Sequence, residues 1–194
     1  MPSTLLAVCD YQEEIRKSRF RAVAGPIDDP AQAQAFVRQY GDPQATHNCW
    51  AWKIGTQYRS SDDGEPGGTA GRPILAAIEA QDCDRVIVVV TRWYGGIQLG
   101  TGGLARAYGG GANKCLQQAE KQLLISRSAF TCECTFSELA LVRLRVHEAG
   151  GEISNESFTA NGVSLHLAVP PAVVTELEDQ LAKLSRGRIR LSPA

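Results

Sequence analysis

Arg59-Ser-Ser-Asp-Asp-Gly-Glu-Pro-Gly-Gly-Thr-Ala-Gly-Arg72-Pro73 is followed, a short helix later, by Arg85-Val-Ile-Val-Val-Val-Thr91 and then by Arg92-Trp-Tyr-Gly-Gly-Ile-Gln-Leu-Gly-Thr-Gly-Gly103. The middle segment is β-branched and apolar on both faces, which is the pattern of an interior strand. Glycine-rich turns flank it, and both turns hold charged side chains. A loop with this many glycines is sharply bent or closely approached by something. Charged and aromatic residues among those glycines point to recognition or chemistry.

Upstream, residues 10–26 alternate with period 2, with a change of register near Ser18. Asp29-Pro30 is a helix start, a cap followed by proline at the first helical position. That helix carries Ala31, Ala35, Phe36 and Val37 toward the core and ends near Gly41. Residues 45–54 form the next strand, with Cys49, Ala51 and Lys53 on one side and Asn48, Trp50, Trp52 and Ile54 on the other. Residues 58–60 return as a short strand. Arg72-Pro73 opens a helix whose Ile74, Leu75 and Ile78 face the sheet. After the second glycine loop, residues 103–122 read as a helix, with Leu104, Ala107, Tyr108, Ala112, Cys115 and Leu116 at helical spacing. Gly109-Gly110-Gly111 inside it is explained by close packing of backbone on the sheet, with a functional hinge as the alternative.

Residues 123–127 are the join to a second domain. The remainder reads strand (128–136), helix (138–149), strand (152–158), strand (162–169), helix (171–184) and strand (188–191). This β-α-β-β-α-β order is the ferredoxin-like plan. Gly150-Gly151 ends the first of these helices, and Ala160-Asn161-Gly162 supplies an Asn-Gly hairpin turn. The expected class is α+β, with domains at 1–125 and 128–194.

The chain has 194 residues, 43% of them hydrophobic and 21% charged, ordinary values for a soluble globular protein. Lys plus Arg number 20 and Asp plus Glu 21, so no overall basic bias advertises nucleic-acid binding, although a local basic face is compatible with balanced totals. Leu5-Leu6-Ala7-Val8 is too short for a secretory h-region, and no apolar run approaches a membrane span. A cytoplasmic chain is therefore expected. Its 6 cysteines then read as reduced thiols. Cys132 and Cys134 do not make a C-x-x-C pair, and a structural zinc is not favoured.

Arg59, Asp62, Asp63, Glu65 and Arg72 crowd one loop. The arginines could pair with the carboxylates and staple it; the same residues could form a recognition surface; or the carboxylates could hold a divalent cation or do acid/base work. The spacing is not that of an EF-hand. Gly100-Thr-Gly-Gly103 before a helix could present N–H groups to an anion, assisted by Arg92 and Arg106, or be a purely structural turn. It matches neither the dinucleotide fingerprint nor the P-loop. His47 and Cys49 fall on one strand face, but no third orienting group completes a nucleophilic constellation. Trp50, Trp52, Trp93 and Tyr94 are candidate stacking residues. A core face is the better reading for at least one pair, and Arg92-Trp93-Tyr94 reads as surface.

Glu14-Ile-Arg-Lys-Ser-Arg-Phe20, Ala45-Thr-His-Asn-Cys49, Arg59-Ser-Ser-Asp-Asp-Gly-Glu-Pro66, Gly68-Thr-Ala-Gly71, Pro73-Ile-Leu75, Val88-Val-Val-Thr-Arg92, Tyr94-Gly-Gly96 and Gly102-Gly-Leu-Ala-Arg-Ala-Tyr108 resemble the IMPACT family, and the whole chain resembles its bacterial YigZ-like branch. The chain departs at Gly67, where serine is usual, at Trp52, where tyrosine is common, and at Trp93-Tyr94, where Tyr-Phe is common. The first change removes a hydroxyl from the loop and weakens a catalytic reading of it. The resemblance implies a first domain with the fold of the second domain of ribosomal protein S5. It implies a ferredoxin-like second domain similar to domain V of elongation factor G. Eukaryotic relatives are implicated in translational control. The expected function is a non-enzymatic binding protein of translation or its regulation, contacting RNA, the ribosome or a translation factor, with no cofactor and no membrane. Its surface would comprise His47, Asn48, Arg59, Asp62, Asp63, Glu65, Arg72, Arg92, Tyr94 and Arg106. The alternatives are a metal-assisted enzyme acting on a phosphorylated or nucleotide substrate through Asp62, Asp63 and Glu65, and a regulator whose second domain docks a protein partner. The oligomeric state stays open.

Overall fold

The computed structural model describes residues 2–194, a mixed α/β chain of several sheets and helices that divides into two compact units meeting in sequence at Leu124 and Ile125. In the first unit, β1 (Ser3–Leu5) leads to β2 (Cys9–Ile15), β3 (Ser18–Pro26), α1 (Pro30–Tyr40), β4 (His47–Ile54), β5 (Gln57–Ser61), α2 (Gly71–Ala80), β6 (Val86–Trp93), α3 (Gly100–Gln118) and β7 (Lys121–Leu123). β2, β3, β6, β4 and β5 form, in that order, a five-stranded antiparallel sheet, and β1 pairs with β7 apart from it.

The central strand explains the layering. Val86, Val88 and Val90 face the side covered by α2 and α3, where they meet Phe20, Ala22, Cys49, Ala51, Ile74, Ile78, Leu104 and Tyr108. Ile87 and Val89 face the other side and pack with Val23, Trp52 and the α1 residues Ala33 and Phe36. Each such side chain contributes about 1.5–3 kcal/mol on leaving water, so both layers are needed to cover β6.

Several expectations require correction. The register change near Ser18 is a hairpin turn: Arg16 and Lys17 both take left-handed backbone (φ 46 and 66), and Ile15 pairs with Ser18. Paired left-handed residues at the two central positions make a tight turn whose twist suits a hairpin, but Arg-Lys lacks the Asn or Gly that usually signals one. On α1, Ala33 and Phe36 face the core, while Ala31 and Ala35 are exposed. The Asp29 cap is as read, its carboxylate accepting from the Gln32 N–H at 2.8 Å. The glycine run in α3 meets α2 rather than the sheet at Gly109, where a Cβ would lie 3.2 Å from that of Pro73. Strands β1 and β7 are too short for a periodic signal.

The second unit runs β8 (Ser128–Cys134), α4 (Leu139–Glu148), β9 (Glu152–Phe158), β10 (Val163–Val169), a 3₁₀ turn (Pro171–Val173), α5 (Val174–Ser185) and β11 (Ser192–Pro193). Its antiparallel sheet has the order β11-β8-β10-β9, so β8 and β10, the first and third strands, are central. One core holds it, built from Cys132, Val142, Val146, Leu165, Leu167, Leu177, Leu181 and Ile189. The last strand lies at Ser192–Pro193 instead of 188–191, because Arg186 and Gly187 (φ 56 and 85) turn the chain after α5 before it rejoins the sheet. Neither Asn161 nor Gly162 takes positive φ, so the β9–β10 connection is a four-residue loop closed by Thr159 N–H to the Gly162 carbonyl at 2.8 Å. Gly162 is needed for proximity instead: a Cβ there would lie 2.3 Å from the Cys134 carbonyl.

Candidate functional site

Strand alternation places Arg92 on the same side of β6 as Val86, Val88 and Val90, beneath α2 and α3. An unpaired charge there would be costly, so its neighbours must answer it. Glu65, in the loop between β5 and α2, accepts from Arg92 Nη1 at 2.7 Å on Oε1. The Tyr108 hydroxyl of α3 donates to the same oxygen at 2.6 Å. Arg92 Nη2 donates to Ser18 Oγ at 3.3 Å. Burial, then the nearby Cys49 and Glu65, push the Tyr108 phenol above its ordinary value, so it stays a donor. His47 sits opposite Arg92 across β4–β6, with Nε2 3.8 Å from Glu65 Oε1. Its Nδ1 is 2.7 Å from the Asp63 carbonyl. A carbonyl only accepts, so this contact places a hydrogen on Nδ1.

The glycine loop is tied by backbone amides rather than by arginines. Asp62 accepts from the N–H groups of Gly68 (2.8 Å), Ala70 (3.0 Å) and Gly71 (2.8 Å). Partial desolvation would raise its pKa, but these amides together with the Arg72 charge outweigh it and hold the carboxyl below the usual range. Asp63 accepts from the Asn48 N–H at 2.6 Å. The Asn48 side chain is itself spent: its Oδ1 accepts from the Asp42 N–H and the Thr91 hydroxyl, and its Nδ2 donates to the Asp42 carbonyl. Gly71 is required by proximity, since a Cβ would lie 2.8 Å from the Ser61 nitrogen. The Cys49 thiol donates to the Asp62 carbonyl at 3.0 Å, and burial pushes it up to about 12. It is a structural thiol rather than a nucleophile.

Above this network lies an open cavity of about 450 Å³. Thr46 and His47 line it from β4, Glu65 and Pro66 from the first glycine loop, Arg92 and Tyr94 from the end of β6, and Gln98, Leu99, Gly100, Thr101 and Leu104 from the second loop and the start of α3. The two glycine-rich loops thus meet at one concave surface. α3 begins there with no side-chain cap and no acidic residue in its first turn. An uncapped helix start leaves its first N–H groups free for an acceptor. A neighbouring cavity of about 250 Å³ shares Leu99 and is lined by Glu13, Arg16, Arg106 and Lys114 among others.

Of the ten residues expected to form one surface, His47, Glu65, Arg92 and Tyr94 line the larger cavity and Arg106 the smaller. Asn48, Asp62 and Asp63 build the loop from behind. Arg59 on β5 and Arg72 in the first turn of α2 are exposed and line neither cavity. Arg92 is a core residue, contrary to the surface reading; only Tyr94 is exposed, at 46%. The carboxylates of Asp62, Asp63 and Glu65 serve three separate sets of donors. Among the described residues no three His, Cys, Asp or Glu groups stand together as a metal would need. Tyr108 was expected only as a core-facing helix residue and Ser18 only as the place of a register change, so neither was expected in the site. The signal for Tyr108 was its place four residues after Leu104 on the buried face of α3.

The Impact N-terminal domain matches residues 16–116, which contain the whole network and the larger cavity. The chain belongs to the IMPACT family. A domain of unknown function (DUF1949) matches residues 132–188, in the second unit. Relatives of similar length include the IMPACT family member YigZ of Escherichia coli, 40% identical over 92% of this chain and 91% of that protein, which places the chain on the YigZ-like branch. An IMPACT family member of Thermus thermophilus is 43% identical over 90% and 97%. The Protein IMPACT of Xenopus laevis is 37% identical over 44% of this chain and 30% of its own. A crystal structure of a hypothetical protein superposes with a TM-score of 0.71 at 38% identity, covering 100% of this chain and 98% of that one. No helix among the described residues is long and apolar enough to cross a membrane.

Proposed function

We propose that this IMPACT family member is a cytoplasmic, non-enzymatic binding protein of translation or its regulation, contacting RNA, the ribosome or a translation factor through the cavity face of its first unit. The observation that carries this reading is the state of the polar groups around the cavity. Arg92, Glu65 and Tyr108 are locked to one another, and Cys49, two residues after His47 on β4, is buried with its thiol pushed up to about 12. These interlocked polar groups suit recognition, and the Cys49 thiol is not activated as a nucleophile. The same reading assigns the first unit the plan of ribosomal protein S5 domain 2 and the second a ferredoxin-like plan. The β-α-β-β-α-β order and the central β8 and β10 support the latter.

The metal-assisted alternative through Asp62, Asp63 and Glu65 loses support, because those carboxylates already accept from backbone amides, Arg92 and Tyr108. The test is co-sedimentation of the purified chain with ribosomes and with total RNA across a salt series. Binding that weakens as salt rises is expected. Folded protein that stays in the supernatant at low salt sinks the ribosome and RNA reading.

A further inference from the structure

We propose that Cys9 and Cys115 form an oxidation site, at which hydrogen peroxide joins the two thiols in a reversible disulfide that staples β2 to α3.

Cys9 opens β2, an edge strand of the five-stranded sheet, and Cys115 lies 106 positions later in the last turn of α3. Every second residue of β2 turns toward the helices, so Cys9, Tyr11 and Ile15 pack against the core to which Cys115 belongs. The two sulfurs meet at 3.5 Å. Each also lies near the other residue's carbonyl, Cys9 Sγ at 3.5 Å and Cys115 Sγ at 3.6 Å. A disulfide needs the sulfurs about 1.5 Å closer. Among the described residues no other two thiols share a hydrogen bond. Cys49 and Cys83 donate to the backbone carbonyls of Asp62 and Gln81, and Cys132 and Cys134 stand two apart on β8.

The two sulfurs divide the work. Cys9 is half-buried at the sheet edge, open to a small oxidant, whereas Cys115 is fully buried. The hydrogen bond from Cys115 outweighs burial and, with the Ala24 backbone and the Lys121 charge, holds the Cys9 thiol below its ordinary range. The same contact and burial push the Cys115 thiol up. The thiolate is the reactive form, so Cys9 attacks and Cys115 resolves. Cys9 sulfur bonds to one peroxide oxygen, the O–O bond breaks, and the departing hydroxide takes up the proton Cys9 gave to solvent. Cys9 is then a neutral sulfenic acid, two electrons oxidised. The thiolate that opposed ionisation of Cys115 is gone. Cys115 sulfur attacks Cys9 sulfur, the S–O bond breaks, and the leaving hydroxide takes the Cys115 proton as a second water. The sum is two thiols and one peroxide giving one disulfide and two waters. A dithiol reductant reverses it, as befits a transient disulfide in a reducing compartment.

The bond closes a loop over most of the first unit and so restricts its unfolded chain. The oxidised form should melt about 5 °C or more above the reduced form, and dithiothreitol should abolish the difference.

The full chain is treated with hydrogen peroxide, its remaining thiols are alkylated, and it is digested without reductant for mass spectrometry. Two of the 6 thiols should escape alkylation, in one cross-linked peptide pair carrying Cys9 and Cys115, and dithiothreitol should restore both. Cys115→Ala removes the resolving thiol, so dimedone should trap a sulfenic acid on Cys9 that wild type does not accumulate. Cys9→Ser should leave Cys115 unoxidised. The wild-type map needs no variant to fold. A Cys9–Cys83 cross-link, a disulfide between two chains, or 6 thiols still alkylated while free cysteine in the same solution is consumed would each overturn the site. An oxidised form that melts no higher than the reduced one would overturn the staple.

Discussion

Glu65 and Arg92 stand 27 residues apart in sequence, yet their side chains meet at 2.7 Å with 3% and 6% of their surfaces exposed. The pair joins a glycine-rich loop to the central strand. Through Tyr108 it also joins α3. It is both a fastening of the fold and the floor of the cavity.

Glu65→Ala should destabilise the first unit by about 3–5 kcal/mol, because it leaves the Arg92 charge buried and unpaired. Arg92→Ala should cost a similar amount. The double variant should cost less than the sum by at least about 2 kcal/mol, since removing both charges removes the mismatch. Urea unfolding curves of the four proteins measure this, and strict additivity would refute the pairing.

Asp62 accepts three backbone amides in the same loop, and its pKa is held below the usual value. Asp62→Ala should cost about 1.5–3 kcal/mol, the range for hydrogen bonds to a charged group. The sign with pH follows from linkage. A carboxyl with a depressed folded pKa contributes its full stability above the unfolded value of 3.8 and loses it as pH falls through the lower folded value. Thermal midpoints of wild type should therefore fall more steeply than those of Asp62→Ala below about pH 4. Parallel acid profiles would rule this out.

The cysteines should differ in reactivity. Cys9 is half-buried, and a hydrogen bond from Cys115, Sγ to Sγ 3.5 Å, lowers its pKa. Cys49 and Cys132 are buried and pushed up to about 12. A thiol reagent at pH 8 should label Cys9 first, with Cys49 and Cys132 reacting only on unfolding. Mass spectrometry of a labelling time course reads the order, and early modification of Cys49 would contradict its burial.

Two glycines should respond in opposite directions to alanine. At Gly95 a Cβ would lie 1.9 Å from the Lys17 carbonyl, so Gly95→Ala must push the β2–β3 turn away from β6. A loss of about 1–3 kcal/mol is expected, as for overpacking. At Gly110, inside α3, nothing lies within 4 Å of the added methyl. Gly110→Ala should stabilise by about 0.5–1 kcal/mol through a stiffer unfolded chain and better helix propensity. Denaturant midpoints for the pair check both signs.

Much of this protein can be read along the chain. The apolar 86–90 run can only be an interior strand; Asp29-Pro30 announces α1; and alternation from Cys49 to Ile54 separates the two faces of β4. Burial of a residue's own periodic face is a local property, so local pattern reports it. The even-numbered face of β6 also carries a warning that is easily missed: after Val86, Val88 and Val90 comes Arg92, a charge continuing a buried row. Sequence shows that such a charge needs an answer but not which residue supplies it. Asp62, Asp63 and Glu65 were equally eligible partners, and Arg59 and Arg72 equally eligible cations. Tertiary structure alone decided that Asp62 would hold backbone amides, that Glu65 would meet Arg92 and Tyr108, and that Arg59 and Arg72 would stay in solvent. The reason is physical: the cost of an unpaired buried charge depends on which atoms lie within about 3 Å of it after strands far apart in sequence are brought side by side, and no periodicity within one segment encodes that.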